Sequence, residues 1–148
     1  MTQVETAVHM YKSGCNCAQA IAGTYGAELG VTDALACKLA TGFGGGMRMG
    51  ETCGALAGAI MVLGLKYGAP GPDDQKAKAR TYELVTELEE RFRSRTGSTM
   101  CRDLLGCDIS TPEGMKAARE KNRFTTLCPH LVQHAAEILE DIIKRNPA

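Results

Sequence analysis

The stretch GETCGALAGAIMVLGLKYG, from Gly50 to Gly68, constrains the fold more than any other part of the chain. After a polar turn it is apolar almost all round. A helix that starts at Thr52 therefore has no face to offer to water and belongs at the centre of a bundle. Gly54 and Gly58 lie four residues apart and share one helix face, so a second backbone can come close there. The apolar run Ala55 to Leu65 is too short to cross a membrane. GAPGPDD then ends the helix, and it is too short to act as a linker between domains.

The rest of the chain carries helical period almost throughout. Thr2 is placed to cap a first helix bearing Val4, Val8 and Tyr11. Asn16 is placed to cap a second, CAQAIAGTYGAEL, and Thr32 a third, in which Leu35, Ala36 and Leu39 share a face. GFGGGMRMGE reads as an irregular loop, because three consecutive glycines favour positive φ or close backbone approach. A long helix from Asp73 to Arg95 puts Ala77, Thr81, Leu84, Val85, Leu88 and Phe92 on one stripe. CRDLLG gives a short turn, and Ser110 or Thr111 caps a helix with Pro112 in its first turn. The last helix starts near Pro129, with Leu131, Val132, Ala135, Ile138, Leu139 and Ile142 as its apolar stripe. No alternating strand pattern or repeat occurs. The expectation is an all-α single domain over residues 1–148, a bundle of six or seven helices.

Formal net charge is zero, and no basic stripe or acidic tail is present, which argues against nucleic acid or an anionic membrane as partner. The N-terminus MTQVETAVHM lacks the charged-then-apolar pattern of a signal peptide. A cytoplasmic location is expected, where thiols stay reduced and clustered cysteines serve metals or redox chemistry.

Seven cysteines in 148 residues are the chemical signal. Cys17, Cys53, Cys101 and Cys128 each fall at or near a predicted helix start. Unpaired N–H groups and the positive end of the helix dipole stabilise a thiolate there, lowering its pKa and improving it as nucleophile or ligand. Core filling stays open for any one of them, because free cysteine packs as a small hydrophobe. Their spacing matches no zinc-finger or ferredoxin loop. Cys15 makes a C-x-C pair with Cys17 but fits a plain loop equally. Cys37, mid-helix among Ala36, Leu39 and Ala40, reads as buried packing, and Cys107 fits either role. His130 and His134 lie off the apolar stripe of the last helix and read as solvated. Arg48 reads as a solvated loop residue or as facing an anionic centre. Gly44, Gly45 and Gly46 are expected to lie over the cysteine site, offering backbone N–H groups to it, on a loop more mobile than the helices.

These residues resemble the C-GCAxxG-C-C family of redox-active proteins. The likeness lies in NCAQAI around Cys17, GFGGGM with TCGALAGAIMVLGLKYG around Cys53, CRDLLG around Cys101 and CPHLVQHAAEIL around Cys128. It implies a redox role centred on these four cysteines. Similar modules occur with haem in the split-Soret cytochromes, where an iron–sulfur cluster is present; no haem-attachment motif occurs here. The expected function is an iron–sulfur redox or electron-transfer protein in which Cys17, Cys53, Cys101 and Cys128 hold a [2Fe–2S] or [4Fe–4S] cluster. Aerobic handling is expected to strip that cluster. The alternatives are a metal-free thiol–disulfide protein and a zinc or small-ligand binding module. A redox partner and a homodimer are expected.

Overall fold

The structure, a computed structural model, describes residues 1–147. Among these it is all-α, with nine helical segments: α1 (Gln3–Lys12), α2 (Cys17–Gly26), α3 (Asp33–Ala40), α4 (Gly54–Tyr67), α5 (Gln75–Thr96), α6 (Cys101–Leu105), α7 (Pro112–Glu120), α8 (Arg123–Thr126) and α9 (Cys128–Arg145). The number exceeds the expected six or seven because α6 and α8 are single turns, too short to show a hydrophobic period.

The expected caps form. Thr2 and Glu5 close a capping box on α1, and Asn16 and Gln19 close another on α2. Thr32 caps α3, and Thr111 caps α7 ahead of Pro112. Each side-chain oxygen takes up a backbone N–H that has no partner inside the helix.

The main core is shared by α1, α2, α4, α5 and α9. Helix α4 sits at its centre, packed against α2, α5 and α9, and is buried from Gly54 through Ala59. The face marked by Gly54 and Gly58 lies on α2. A Cβ added at Gly58 would stand 2.8 Å from the Ala18 carbonyl oxygen and 3.0 Å from Ile21 Cβ. One added at Gly54 would stand 3.2 Å from Cys17 Cβ. The two helices touch backbone to backbone because these side chains are missing. On α5, Leu84, Leu88 and Phe92 are buried; on α9 the whole predicted stripe is buried.

Two expectations are corrected. On α3 the buried positions are Ala36 and Ala40, whereas Leu35 and Leu39 stand 50% and 64% exposed. Small residues face inward because α3 lies against the alanine-rich face of α2, where Ala18 and Ala22 leave no room for leucine. The glycine loop is also more ordered than an irregular connector: a 3-10 turn over Thr41–Phe43 is followed by a wide turn over Gly46–Gly50.

Gly58→Ala should separate α2 from α4 and destabilise the protein by about 1–3 kcal/mol, the cost of overpacking a tight core. Gly64 lies on the same helix with nothing within 4 Å of a Cβ placed there. Gly64→Ala should be neutral or stabilising by up to about 1 kcal/mol, through helix propensity alone. Urea unfolding of both variants checks the contrast; equal effects would mean that the α2–α4 approach is not tight.

Candidate functional site

The four expected cysteines occupy the first turns of four helices. Cys17, Cys101 and Cys128 are the first residues of α2, α6 and α9, and Cys53 is the cap residue of α4. Only α2 has a polar cap. The starts of α4, α6 and α9 have no side-chain cap, their cap positions being Cys53, Met100 and Leu127. The first-turn N–H groups there are left free of a polar cap, and those of Ala55 and Leu56 favour the Cys53 thiolate. This is the reason for a cysteine where Ser, Thr or Asp is usual.

Three local features bring these helix starts together. The missing Gly54 side chain lets Cys17 stand against the start of α4. A single antiparallel bridge between Thr52 and Met100 ties α4 to α6: the Cys53 N–H donates to the Thr99 carbonyl at 2.8 Å and the Cys101 N–H to the Glu51 carbonyl at 2.6 Å. Cys17 and Cys128 stand near enough to shift each other's ionisation, at the place where α2 meets α9. All four cysteines line one cleft of about 560 Å³. The expected convergence is therefore present, although among the described residues no three His, Cys, Asp or Glu side chains stand close enough to hold a single metal ion.

Tyr11 was not singled out as a site residue from the sequence. Its hydroxyl donates to the Phe124 carbonyl oxygen at 2.7 Å, and the side chain lines the same cleft as Cys128. Its helical period marked it only as core, and nothing in the sequence shows that α1 crosses the start of α9.

The glycine loop forms one wall of the cleft. Gly44 and Gly45 line it; Gly46 does not, and is buried in a turn where a Cβ would meet the Glu51 backbone at 2.4 Å. Gly45, Gly46, Met47 and Arg48 are four consecutive left-handed residues, with φ of 66°, 63°, 59° and 61°. That conformation costs non-glycine residues roughly 1–2 kcal/mol each. It leaves Arg48 exposed to solvent yet lining the cleft, its Nη1 3.2 Å from where a Gly45 Cβ would lie. Lys12 lines the cleft as well, and no carboxylate is among the described lining residues.

The electrostatics correct one expectation. Burial outweighs the helix-start N–H groups for most of these thiols. It pushes Cys53 up to about 11 despite the Ala55 and Leu56 N–H groups. It pushes Cys101 up to about 12, with the neighbouring Cys53 and Cys128 adding and Arg48 opposing. Cys17 is raised chiefly by the neighbouring Cys128 sulfur, and burial adds to this. Only Cys128 is lowered, first by the neighbouring Cys17 thiol and less by Tyr11, against its own burial. Of the two sulfurs, Cys128 is the one that loses its proton more readily.

The remaining residues fall elsewhere. Cys107 is buried beside Cys101 and Cys128 in a small satellite core with Ile109. His130 is exposed, and His134 lies beside Arg95, with Nδ1 3.4 Å from its guanidinium; neither lines the cleft. Cys37 lies outside the cleft as expected but is only partly buried, because α3 is an outer helix, and its sulfur lies beside Gly23 and Met10.

The chain matches, over residues 15–142, the family described as "Putative redox-active protein (C_GCAxxG_C_C)". That span covers most of the chain, and the protein belongs to this family. No curated protein and no solved structure matched it.

In reduced, metal-free protein, Cys128 should be the first of the four site thiols to react with iodoacetamide as pH rises. Tyr11→Phe removes a hydroxyl that favours its thiolate, so Cys128 should then react only at higher pH. Peptide mass mapping across pH checks both. Earlier modification of Cys53 or Cys101 than of Cys128 would refute the proton assignment.

Proposed function

We propose that this protein is an electron-transfer or redox protein whose Cys17, Cys53, Cys101 and Cys128 hold an iron–sulfur cluster. The observation that carries the proposal is the convergence of four cysteine-bearing helix starts on one cleft, three of them uncapped. An iron–sulfur cluster takes four thiolates and is anionic. Uncapped helix starts, Arg48 and Lys12 supply the positive potential that such a group needs. The cleft of about 560 Å³ has room for a polynuclear group. A single zinc ion needs its four sulfurs within about 2.3 Å of one point, and these side chains are not so drawn together. The cluster, when bound, supplies reversible one-electron transfer. The chain's own part is to present four sulfurs, shield them from water and offset their charge. Gly44 and Gly45 let the loop close against the cleft wall, where a Cβ would meet Asn16 or Ile109.

Thiols held protonated by burial must lose their protons to become ligands, so loading should strengthen as pH rises. Iron and acid-labile sulfide measured on protein purified without oxygen should be present in the wild type. Both should fall severalfold in each Cys→Ser variant at the four positions, and stay in Cys107→Ala. Visible absorption should follow the iron. A colourless protein with bound zinc would sink the proposal, as would one with no metal and disulfides cycling among the four cysteines.

A further inference from the structure

The cleft runs from the buried Cys53, Cys101 and Cys128 out to exposed residues at its mouth, Lys12, Gly14, Arg48 and Thr125. Two of these are cations, and the chain does not neutralise them. Arg91, Arg93, Arg95, Arg102 and Arg145 are all in ion pairs. Among the described residues, neither Arg48 nor Lys12 has an ion pair or a side-chain hydrogen bond. The carboxylates nearest in the chain are engaged elsewhere. Asp108 accepts from the Ser110 N–H and hydroxyl, and Glu51 faces Arg102 at 3.8 Å.

The Arg48 guanidinium is also held in one place. Arg48 keeps φ 61° and ψ 11°, directly after Met47 at φ 59° and ψ 33°, in a turn closed by the Glu51 N–H donating to the Gly46 carbonyl at 3.1 Å. A non-glycine residue in that conformation is strained, and such strain persists where the side chain has a use. The side chain folds back over its own loop. Its Nη1 stands 3.2 Å and its Cδ 3.9 Å from where a Gly45 Cβ would lie, and Ile109 Cδ1 stands 2.7 Å from the same point. The missing side chain at Gly45 thus leaves a guanidinium and an apolar methyl next to each other on one wall. Beyond Ile109 the lining is apolar, with Leu104, Leu105, Phe124 and Leu131.

This pairing of an unpaired cation with apolar walls selects a kind of ligand. An inorganic anion would give up hydration to walls that return no hydrogen bonds. A neutral apolar molecule would leave the guanidinium unused. A carboxylate on an apolar body satisfies both, because its two oxygens match the guanidinium fork and its body covers the walls. We propose that the cleft binds a small organic acid, with Arg48 as the residue that selects the carboxylate. The carboxylate meets Arg48 at the mouth, and the body lies along Ile109 and Phe124 toward the sulfurs. Lys12 adds charge without a fixed geometry. Organic acids are then the substrate class of the redox site. That last step rests on the cluster proposal, whereas the binding itself does not.

The test titrates benzoate calorimetrically into protein purified without oxygen, with iron measured on the same sample. Benzyl alcohol offers the ring without the charge, and inorganic phosphate the charge without the ring. Benzoate should bind saturably, and both controls should bind at least about tenfold more weakly. Arg48→Met keeps a long side chain at an exposed position and should retain the helical circular dichroism of the wild type. It should weaken benzoate binding about tenfold or more, and Lys12→Met should weaken it less. Absence of saturable benzoate binding would overturn the proposal, as would unchanged affinity in Arg48→Met. Benzyl alcohol or phosphate binding as tightly as benzoate would overturn it too. Benzoate binding by protein without iron would support this site and remove the cluster. Protein that holds iron and does not bind benzoate would overturn this site and leave the cluster standing.

Discussion

The site depends on one close approach, the backbone contact between α2 and α4 where Gly54 and Gly58 carry no side chains. It sets Cys17 against the start of α4, and everything else at that end of the molecule is placed relative to those two helix starts. The bridge from Thr52 to Met100 brings α6 alongside, and α9 packs against both α2 and α4. A methyl group at Gly58 would meet the Ala18 carbonyl oxygen at 2.8 Å, and one at Gly54 would press on Cys17 Cβ at 3.2 Å. Packing and chemistry therefore share one constraint, which is why the signature of the family contains glycines as well as cysteines.

Burial and helix-start potential act on these sulfurs in opposite directions, and the balance suits a site that binds cations. A buried thiolate without a counter-charge is costly, so the thiols stay neutral. The N–H groups of Ala55 and Leu56 and the guanidinium of Arg48 lower that cost without cancelling it. Only Cys128 is shifted toward its charged form, with Cys17 as the main cause. In the proposed cluster-bound protein, a metal group would supply the missing positive charge, and the N–H groups would stabilise the anionic sulfurs.

Most of the fold was legible in the sequence because its helices are long, periodic and capped by residues with one plain role. The α9 stripe, the central α4 and the caps Thr2, Asn16, Thr32 and Thr111 all form as read. The four cysteines could be picked out because each stands at or beside a helix start. What the sequence did not show is what depends on contacts between distant segments. The Thr52–Met100 bridge involves one residue on each side and leaves no period. Tyr11 reads as core until α1 is seen to cross the start of α9. Cys37 reads as core because its helix neighbours are apolar, and only the placement of α3 at the edge exposes it. The inward face of α3 was misread because alanine carries too little hydrophobic signal to outweigh Leu35 and Leu39.

The two ends of the molecule are built by different rules. Away from the cleft, α5 and α9 are held by buried leucine, isoleucine and phenylalanine and by ion pairs such as Arg91 with Asp141 and Arg95 with Glu137. At the cleft, helices start without polar caps, thiols are buried without apolar need, and Met47 and Arg48 sit in left-handed backbone that only glycine adopts freely. Each departure costs about a kilocalorie per mole or more where nothing offsets it. The regular end supplies the stability that lets them persist. A chain selected for packing alone would place Ser or Asp at position 53 and Gly or Asn at positions 47 and 48. Cys53, Cys101, Cys128 and Arg48 border one cavity, and this concentration of departures is the physical ground for proposing that cavity as the site.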